Sequence, residues 1–228
     1  GGAWEFYDKL PERWVINYRD LKFYVHPTGF KHTGLFPEQA ANWDWFTKLI
    51  KNSGREIKLL NLFAYTGGAS VAAAKAGAFV CHVDASKGIV AKAKRNAELS
   101  EIPQNKIRYI VDDCFKFVAR EIRRGNKYDA ILMDPPSYGR GPNGEVWKLE
   151  EQIYPLVAEC VKLLSDNPLF FLINSYTTGL SPSVMQYVLG TLLPKGIGGT
   201  LSADEIGLPV TETGLVLPCG ATGRWISD

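Results

Sequence analysis

Histidine, a dinucleotide fingerprint and long apolar runs are what this sequence has little of. Only three of its 228 residues are histidines, none in metal-ligand spacing, so no metal centre is expected. The four cysteines (Cys81, Cys114, Cys160, Cys219) are scattered without a C-x-x-C pair. That excludes a zinc knuckle or a disulfide framework and fits reduced, mostly buried thiols in a cytoplasmic protein. No apolar run approaches the ~20 residues of a membrane helix, and no secretory signal is read at the start. Charge of one sign is also missing: 26 basic against 24 acidic residues leave +2, which neither demands nor forbids a polyanionic partner. G-x-G-x-x-G is absent, which argues against a pyrophosphate-bearing nicotinamide cofactor. There is no internal repeat. The chain opens Gly1-Gly2-Ala3 rather than with Met, which leaves room for a segment ahead of it or an added scar.

What is there centres on Leu59 to Asp84. The run from Lys58 to Tyr65 is mostly apolar, as in a strand buried on both faces of a parallel sheet. Thr66-Gly67-Gly68 breaks it, Ala69 to Ala76 reads as a helix of small residues, and Gly77 stops that helix. Phe79 to Val83 is a second strand, ending in Asp84. Strand, glycine turn, helix, strand and carboxylate make half of a doubly wound nucleotide-binding sheet. On this reading the glycines let the backbone approach a ligand, and Asp84 suits the two hydroxyls of a ribose.

The rest of the chain extends that pattern. Trp4, Phe6, Tyr7, Trp14, Tyr18, Phe23 and Tyr24 crowd the first 24 positions, where Arg13–Asn17 and Leu21–Val25 read as a hairpin. Two uses are open for it: a flap over an edge of the main sheet, or a stacking surface for bases. Pro37 opens a helix to about Asn52. Helices are expected over Lys87–Leu99, Cys114–Arg124, Leu149–Leu164 and Ser183–Leu192. Strands are expected over Ile107–Val111, Tyr128–Met133, Leu169–Ile173, Thr200–Ile206 and Gly214–Leu217, with Ser137–Gly144 a loop. Basic residues gather at Lys87, Lys92, Lys94 and Arg95, and at Arg120, Arg123 and Arg124; solvated helix faces account for both groups. The expected division is an aromatic hairpin extension over 1–36 and one α/β domain over 37–228.

Each parallel strand ends in polar or turn residues: Tyr65-Thr66-Gly67, Asp84, Asp112-Asp113, Asp134-Pro135-Pro136 and Asn174-Ser175-Tyr176. Ligands of open α/β sheets bind at that edge. Taken in strand order, the series resembles the class I S-adenosylmethionine-dependent methyltransferases. The resemblance implies a Rossmann-like, doubly wound, mostly parallel seven-stranded sheet with S-adenosyl-L-methionine as cofactor. It implies that Phe63, Ala64, Tyr65, Thr66 and Gly67 form the methionine turn and that Asp84 and Ala85 hold the ribose side. Asp113, Cys114 and Phe115 correspond to the adenine motif. Asp134, Pro135, Pro136 and Ser137 stand beside the transferable methyl, and Tyr138 is placed to stack on a flipped base, with Arg140 toward phosphate. The segment Lys31-His32-Thr33-Gly34-Leu35-Phe36-Pro37-Glu38-Gln39 is similar to one preceding the catalytic domain in bacterial large-subunit ribosomal RNA methyltransferases, which adds Phe36 and Gln39 to the cofactor residues and RNA as the partner.

Two departures shape the expected chemistry. The cytosine-5 member of that branch carries a cysteine just after the fifth strand, where this chain reads Asn174-Ser175-Tyr176. A covalent cysteine route is therefore set aside in favour of in-line transfer to a base nitrogen. The amino-terminal RNA-binding domain common in the branch has no counterpart in this sequence. A methyltransferase of proteins or small molecules, and a catalytically idle cofactor-binding module, stay open as alternatives.

Overall fold

The computed structural model describes residues 4–29, 32–140 and 146–228. Strands β1 (Trp14–Tyr18) and β2 (Leu21–Val25) form a hairpin, and a 3-10 turn at Pro37–Gln39 leads into α1 (Ala40–Asn52). The alternating part follows: β3 (Lys58–Leu62), α2 (Gly68–Lys75), β4 (Phe79–Asp84), α3 (Lys87–Leu99), β5 (Ile107–Val111), α4 (Cys114–Arg123) and β6 (Ala130–Met133). Then come the short strands β7 (Tyr138–Arg140) and β8 (Val146–Lys148), α5 (Leu149–Cys160), β9 (Phe170–Ser175), α6 (Pro182–Leu192), β10 (Thr200–Pro209) and β11 (Val216–Ile226).

Seven strands make one sheet in the order β10-β11-β9-β6-β3-β4-β5. Pairings β9–β6, β6–β3, β3–β4 and β4–β5 are parallel, while β11 runs antiparallel to both of its neighbours. The seven-stranded, mostly parallel expectation is met. Chain order reverses between β3 and β6, so the crevice lies beyond the carboxyl ends of those two strands.

The period-2 alternation of strands explains how one sheet feeds two cores. Leu60, Leu62, Ile131, Met133, Phe171 and Ile173 face α4, α5 and α6, packing with Phe117, Leu156 and Val188. Leu59, Val80, Leu132, Phe170 and Leu172 face the other layer, with Trp43 and Phe46 of α1 and Val71, Ala72 and Ala73 of α2. Each fully buried side chain of this kind contributes about 1.5–3 kcal/mol.

The amino-terminal hairpin belongs to this second core rather than to a sheet edge, which corrects the flap expectation. Leu21, Phe23 and Val25 are buried in it, and Phe23 lies 5.4 Å from the Trp43 ring. The open edge of β2 is satisfied by helix α3, Asn96 Oδ1 accepting from the Tyr24 amide and Ser100 Oγ from the Lys22 amide, both at 2.9 Å. An unpaired strand edge is costly when covered, and here two polar side chains of a helix cover it.

Element boundaries differ most from the sequence reading in three regions. Tyr138–Arg140, expected in a loop, pairs antiparallel with Val146–Lys148; Gly141 to Gly144 of that loop lie outside the described residues. The last two strands are longer than expected, and β11 reaches Ile226 because Ala221–Ile226 pairs with β9. The long helix ends at Cys160 and tightens into a 3-10 turn. Among the described residues no helix is long and apolar enough to cross a membrane.

Candidate active site

The turn after β3 reverses the chain by left-handed residues: Phe63 (φ 53°), Tyr65 (φ 48°) and Gly67 (φ 86°). Two of these are not glycine, at a cost of order 1–3 kcal/mol each. The strained backbone points the Tyr65 amide at Asp84, whose Oδ2 accepts it at 3.0 Å, while Oδ1 accepts from the Ser86 amide at 2.9 Å. Burial raises the Asp84 pKa, and these two backbone bonds work against that rise. Thr66 is locked from both ends: its hydroxyl donates to the Gly34 carbonyl at 2.5 Å, and its own carbonyl accepts from Asn96 at 2.9 Å.

The two glycines also serve packing, and Gly68 is at the same time a wall of the cavity that Asp84 and Asp134 share. A Cβ on Gly67 would sit 2.9 Å from the Ala93 Cβ of α3, and one on Gly68 2.6 Å from the Trp43 ring of α1. Their missing side chains let α2 start between two other helices.

Beyond β6, Asp134 is held by two amides: Asn174 Nδ2 donates to its Oδ1 at 2.9 Å and Gln39 Nε2 lies 3.3 Å from its Oδ2. Burial, with Glu38 nearby, pushes the Asp134 carboxyl up to about 6, and the Asn174 bond opposes this. Gln39 also donates to the Tyr176 hydroxyl at 2.8 Å.

Asp84 and Asp134 open onto one cavity of about 430 Å³. Of the residues expected from sequence, Phe36, Gln39, Phe63, Ala64, Tyr65, Thr66, Asp84, Ala85, Asp113, Cys114, Asp134, Pro135 and Pro136 line it. Gly67, Phe115, Ser137 and Tyr138 are not among its walls. Ser137 instead receives a hydrogen bond from Thr177 at 2.6 Å, and Tyr138 is half exposed. Asp113 spends one oxygen capping α4, accepting from the Lys116 amide at 2.9 Å. Nothing is described of the Arg140 side chain or of Lys31.

Among the wall residues absent from the cofactor and catalytic sets expected from sequence are Trp147, Asn174 and Tyr176. Trp147 arrives from β8, its Nε1 donating to the Pro136 carbonyl at 2.6 Å and its ring 4.9 Å from Phe63 and 6.1 Å from Phe115. Phe36 lies 5.6 Å from both Tyr65 and Tyr176. The cavity thus has an aromatic group on each flank. Asn174 had a place in the sequence as a strand end, whereas Trp147 had none, because its partner strand crosses residues with no periodicity to read. No cluster of three His, Cys, Asp or Glu that could hold a metal occurs among the described residues.

The profile of the S-adenosylmethionine-dependent methyltransferases matches residues 2–154, two thirds of the sequence. The chain belongs to this family. A crystal structure of a SAM-dependent methyltransferase from Agrobacterium tumefaciens superposes over 100% of the chain and 74% of its own, with TM-score 0.92 and 38% identity. Another structure, of a methyltransferase complexed with S-adenosylhomocysteine, shares the fold at TM-score 0.81 and 22% identity, covering 98% of this chain and 58% of its own. Ribosomal RNA large subunit methyltransferase K/L of Shewanella frigidimarina is 32% identical over 71% of this chain and 22% of its own length. Ribosomal RNA large subunit methyltransferase K of Neisseria meningitidis is 29% identical over 73% of this chain and 47% of its own. The chain thus spans less than half the length of these curated relatives.

The donor set fits the cofactor of this family chemically. The half-buried Asp84 carboxylate at the end of β4 could accept from a ribose diol, the strained turn could offer backbone to a small zwitterion, and aromatic faces suit a sulfonium cation. No phosphate cradle is present in that turn, which fits an adenosyl group without phosphate.

Proposed function

We propose that this methyltransferase acts on RNA, ribosomal RNA in the first instance, at a base nitrogen, by in-line transfer without a covalent cysteine intermediate. The observation that carries the reading is the position of Asp134: a carboxylate followed by two prolines, open to the same cavity as the ribose-type carboxylate Asp84. The names of the Shewanella and Neisseria relatives supply the RNA.

S-Adenosyl-L-methionine supplies a methyl already activated as an electrophile on sulfonium. The work left to the chain is positioning and the exclusion of water, worth several kcal/mol. Asp84 with Ala85 and the turn from Phe63 to Thr66 are assigned to the ribose and methionine ends, with Phe36 and Gln39 closing the site and Asp113 and Cys114 on the adenine side. Where the acceptor is an exocyclic amine, Asp134 takes a hydrogen bond from the reacting nitrogen and the proton it releases, whereas a ring nitrogen without hydrogen needs only positioning; in both cases Pro135 and Pro136 hold the backbone rigid. Ser137 and Tyr138, outside the cavity walls, are assigned to the mouth, where Tyr138 offers an exposed ring to a base.

The thiols support a route without a covalent step. Cys114 lines the cavity, but burial pushes its pKa far above the ordinary range, and burial raises Cys81 to about 11. A nucleophilic cysteine needs the opposite environment.

Purified protein with methyl-labelled S-adenosylmethionine and ribosomal RNA from cells lacking the gene is expected to label RNA. Mass mapping then gives the base. If label never enters RNA, and RNA affinity does not weaken with salt, the RNA reading falls.

A further inference from the structure

We propose that Arg224, Asn42 and Gln39 form a one-way hydrogen-bond relay that presents a donor to Asp134, making all three positioning residues for the acceptor carboxylate. The inference rests on the reading that Asp134 stands at the transfer centre.

The geometry is continuous. Arg224 Nε and Nη2 both donate to Asn42 Oδ1, at 3.1 and 2.5 Å. Asn42 Nδ2 donates to Gln39 Oε1 at 2.9 Å, and Gln39 Nε2 faces Asp134 Oδ2 at 3.3 Å and the Tyr176 hydroxyl at 2.8 Å. A side-chain amide alone can turn either way, since oxygen and nitrogen are nearly equivalent in shape. Here the direction is dictated from one end. A guanidinium has five donors and no acceptor. Asn42 must therefore turn its oxygen to Arg224 and its nitrogen to Gln39. Gln39 must then give its oxygen to Asn42 and keep its nitrogen for Asp134. Both ends agree, because an ionised carboxylate accepts only.

Arg224 is fixed for the task. It lies on β11, 182 positions from Asn42 in sequence, with its guanidinium 5.0 Å from the centre of the Trp45 ring. The Thr222 hydroxyl adds a further donor to Asn42 Oδ1 at 3.4 Å, and Asn42 is 1% exposed. Around Asp134 stand Glu38 from the turn before α1, Asn174 from β9 and Tyr176 just after it; Asp204 of β10 acts on Arg224. Glu38 and burial disfavour the ionised carboxylate. Asn174 and the relay oppose them.

Without a relay that donates, Gln39 could rotate its oxygen toward Asp134, and the carboxyl would hold its proton to higher pH. The test is a 13C NMR titration of the Asp134 carboxyl in the full chain, with the signal assigned by its loss in Asp134→Asn. Asn42→Ala leaves the Arg224 charge in place and cuts the relay. Gln39→Met removes the last donor at a less buried position. Both are expected to raise the carboxyl pKa by about 1, a tenfold change in proton affinity. An unchanged pKa in both, or a rise in only one of them, overturns the relay, since Asn42 reaches Asp134 only through Gln39 and Gln39 is oriented only through Asn42. The acid limb of kcat for methyl transfer should move with the NMR value. A carboxyl pKa that rises in both variants while the kcat profile stays put upholds the relay and removes Asp134 from the chemistry instead.

Discussion

Asp84 and Asp134 carry the same group at two ends of one cavity, and their neighbours set them to different work. Asp84 accepts two backbone amides, so its oxygens are fixed by the strained turn itself. Asp134 accepts from side-chain amides, which can be exchanged for substrate. Asp84→Ala is expected to weaken S-adenosylhomocysteine binding by about 1–3 kcal/mol, the scale for losing a charged hydrogen-bond partner. Calorimetry giving unchanged affinity would remove Asp84 from the site. Asp134→Asn is expected to abolish transfer while raising Tm at pH 7, because an ionised carboxylate in a buried site is a standing cost to the fold. A lower Tm in the variant would show that its hydrogen bonds outweigh that cost. Both acids were legible in sequence, because a carboxylate ending an apolar run marks a strand end. Asn42 and Arg224 were not: their meaning lies in a contact across 182 positions, which no local pattern encodes.

Elements were legible where burial dominates and obscure where geometry does. The apolar runs of β3, β4 and β6 and the helices between them follow from periodicity alone. The β7–β8 hairpin does not, being three residues a side with Gly139 in one strand. The packing role of Gly67 was not legible for a physical reason: a missing Cβ looks the same in sequence whether a ligand or a helix fills the space. Gly67→Ala is expected to destabilise the protein by about 1–3 kcal/mol, from left-handed backbone strain and a 2.9 Å approach to Ala93. Gly77→Ala has positive φ as well (111°) but open space around it, so it should cost only the strain. Urea midpoints of the pair separate the two effects, and equal losses would leave Ala93 without a part. Trp147→Ala removes the contact of β8 with Phe63 and the Pro136 carbonyl. Cofactor affinity should fall severalfold and Tm only modestly, since Trp147 is partly buried at the margin of the first core rather than inside it.

For the protein as one cooperative unit, pH couples two groups on the same side of the sheet with opposite sign. His82, fully buried on β4, bonds through Nδ1 to Ser70 at 2.9 Å, and Ser70 in turn accepts from Asn61 at 2.8 Å. Burial lowers its pKa from 6.5 to about 4. The unfolded chain therefore binds the extra proton below pH 6.5, and stability is lost progressively as pH falls toward 4, by about 3 kcal/mol in full. Asp134 does the reverse. Its carboxyl is raised from 3.8 to about 6, so the folded state holds the extra proton and stability is lost as pH rises from about 4 to 6, by at most about 3 kcal/mol. Between pH 4 and 6 the two contributions largely cancel, and the wild-type chain should show a shallow dependence there. Single substitutions uncover each arm. Relative to wild type, Asp134→Asn should gain stability as pH rises from 4 to 6, and His82→Leu should gain it as pH falls through the same window. Denaturant titrations at pH 4, 5, 6 and 7 measure both differences, and parallel curves for all three proteins would mean that neither group titrates differently on folding.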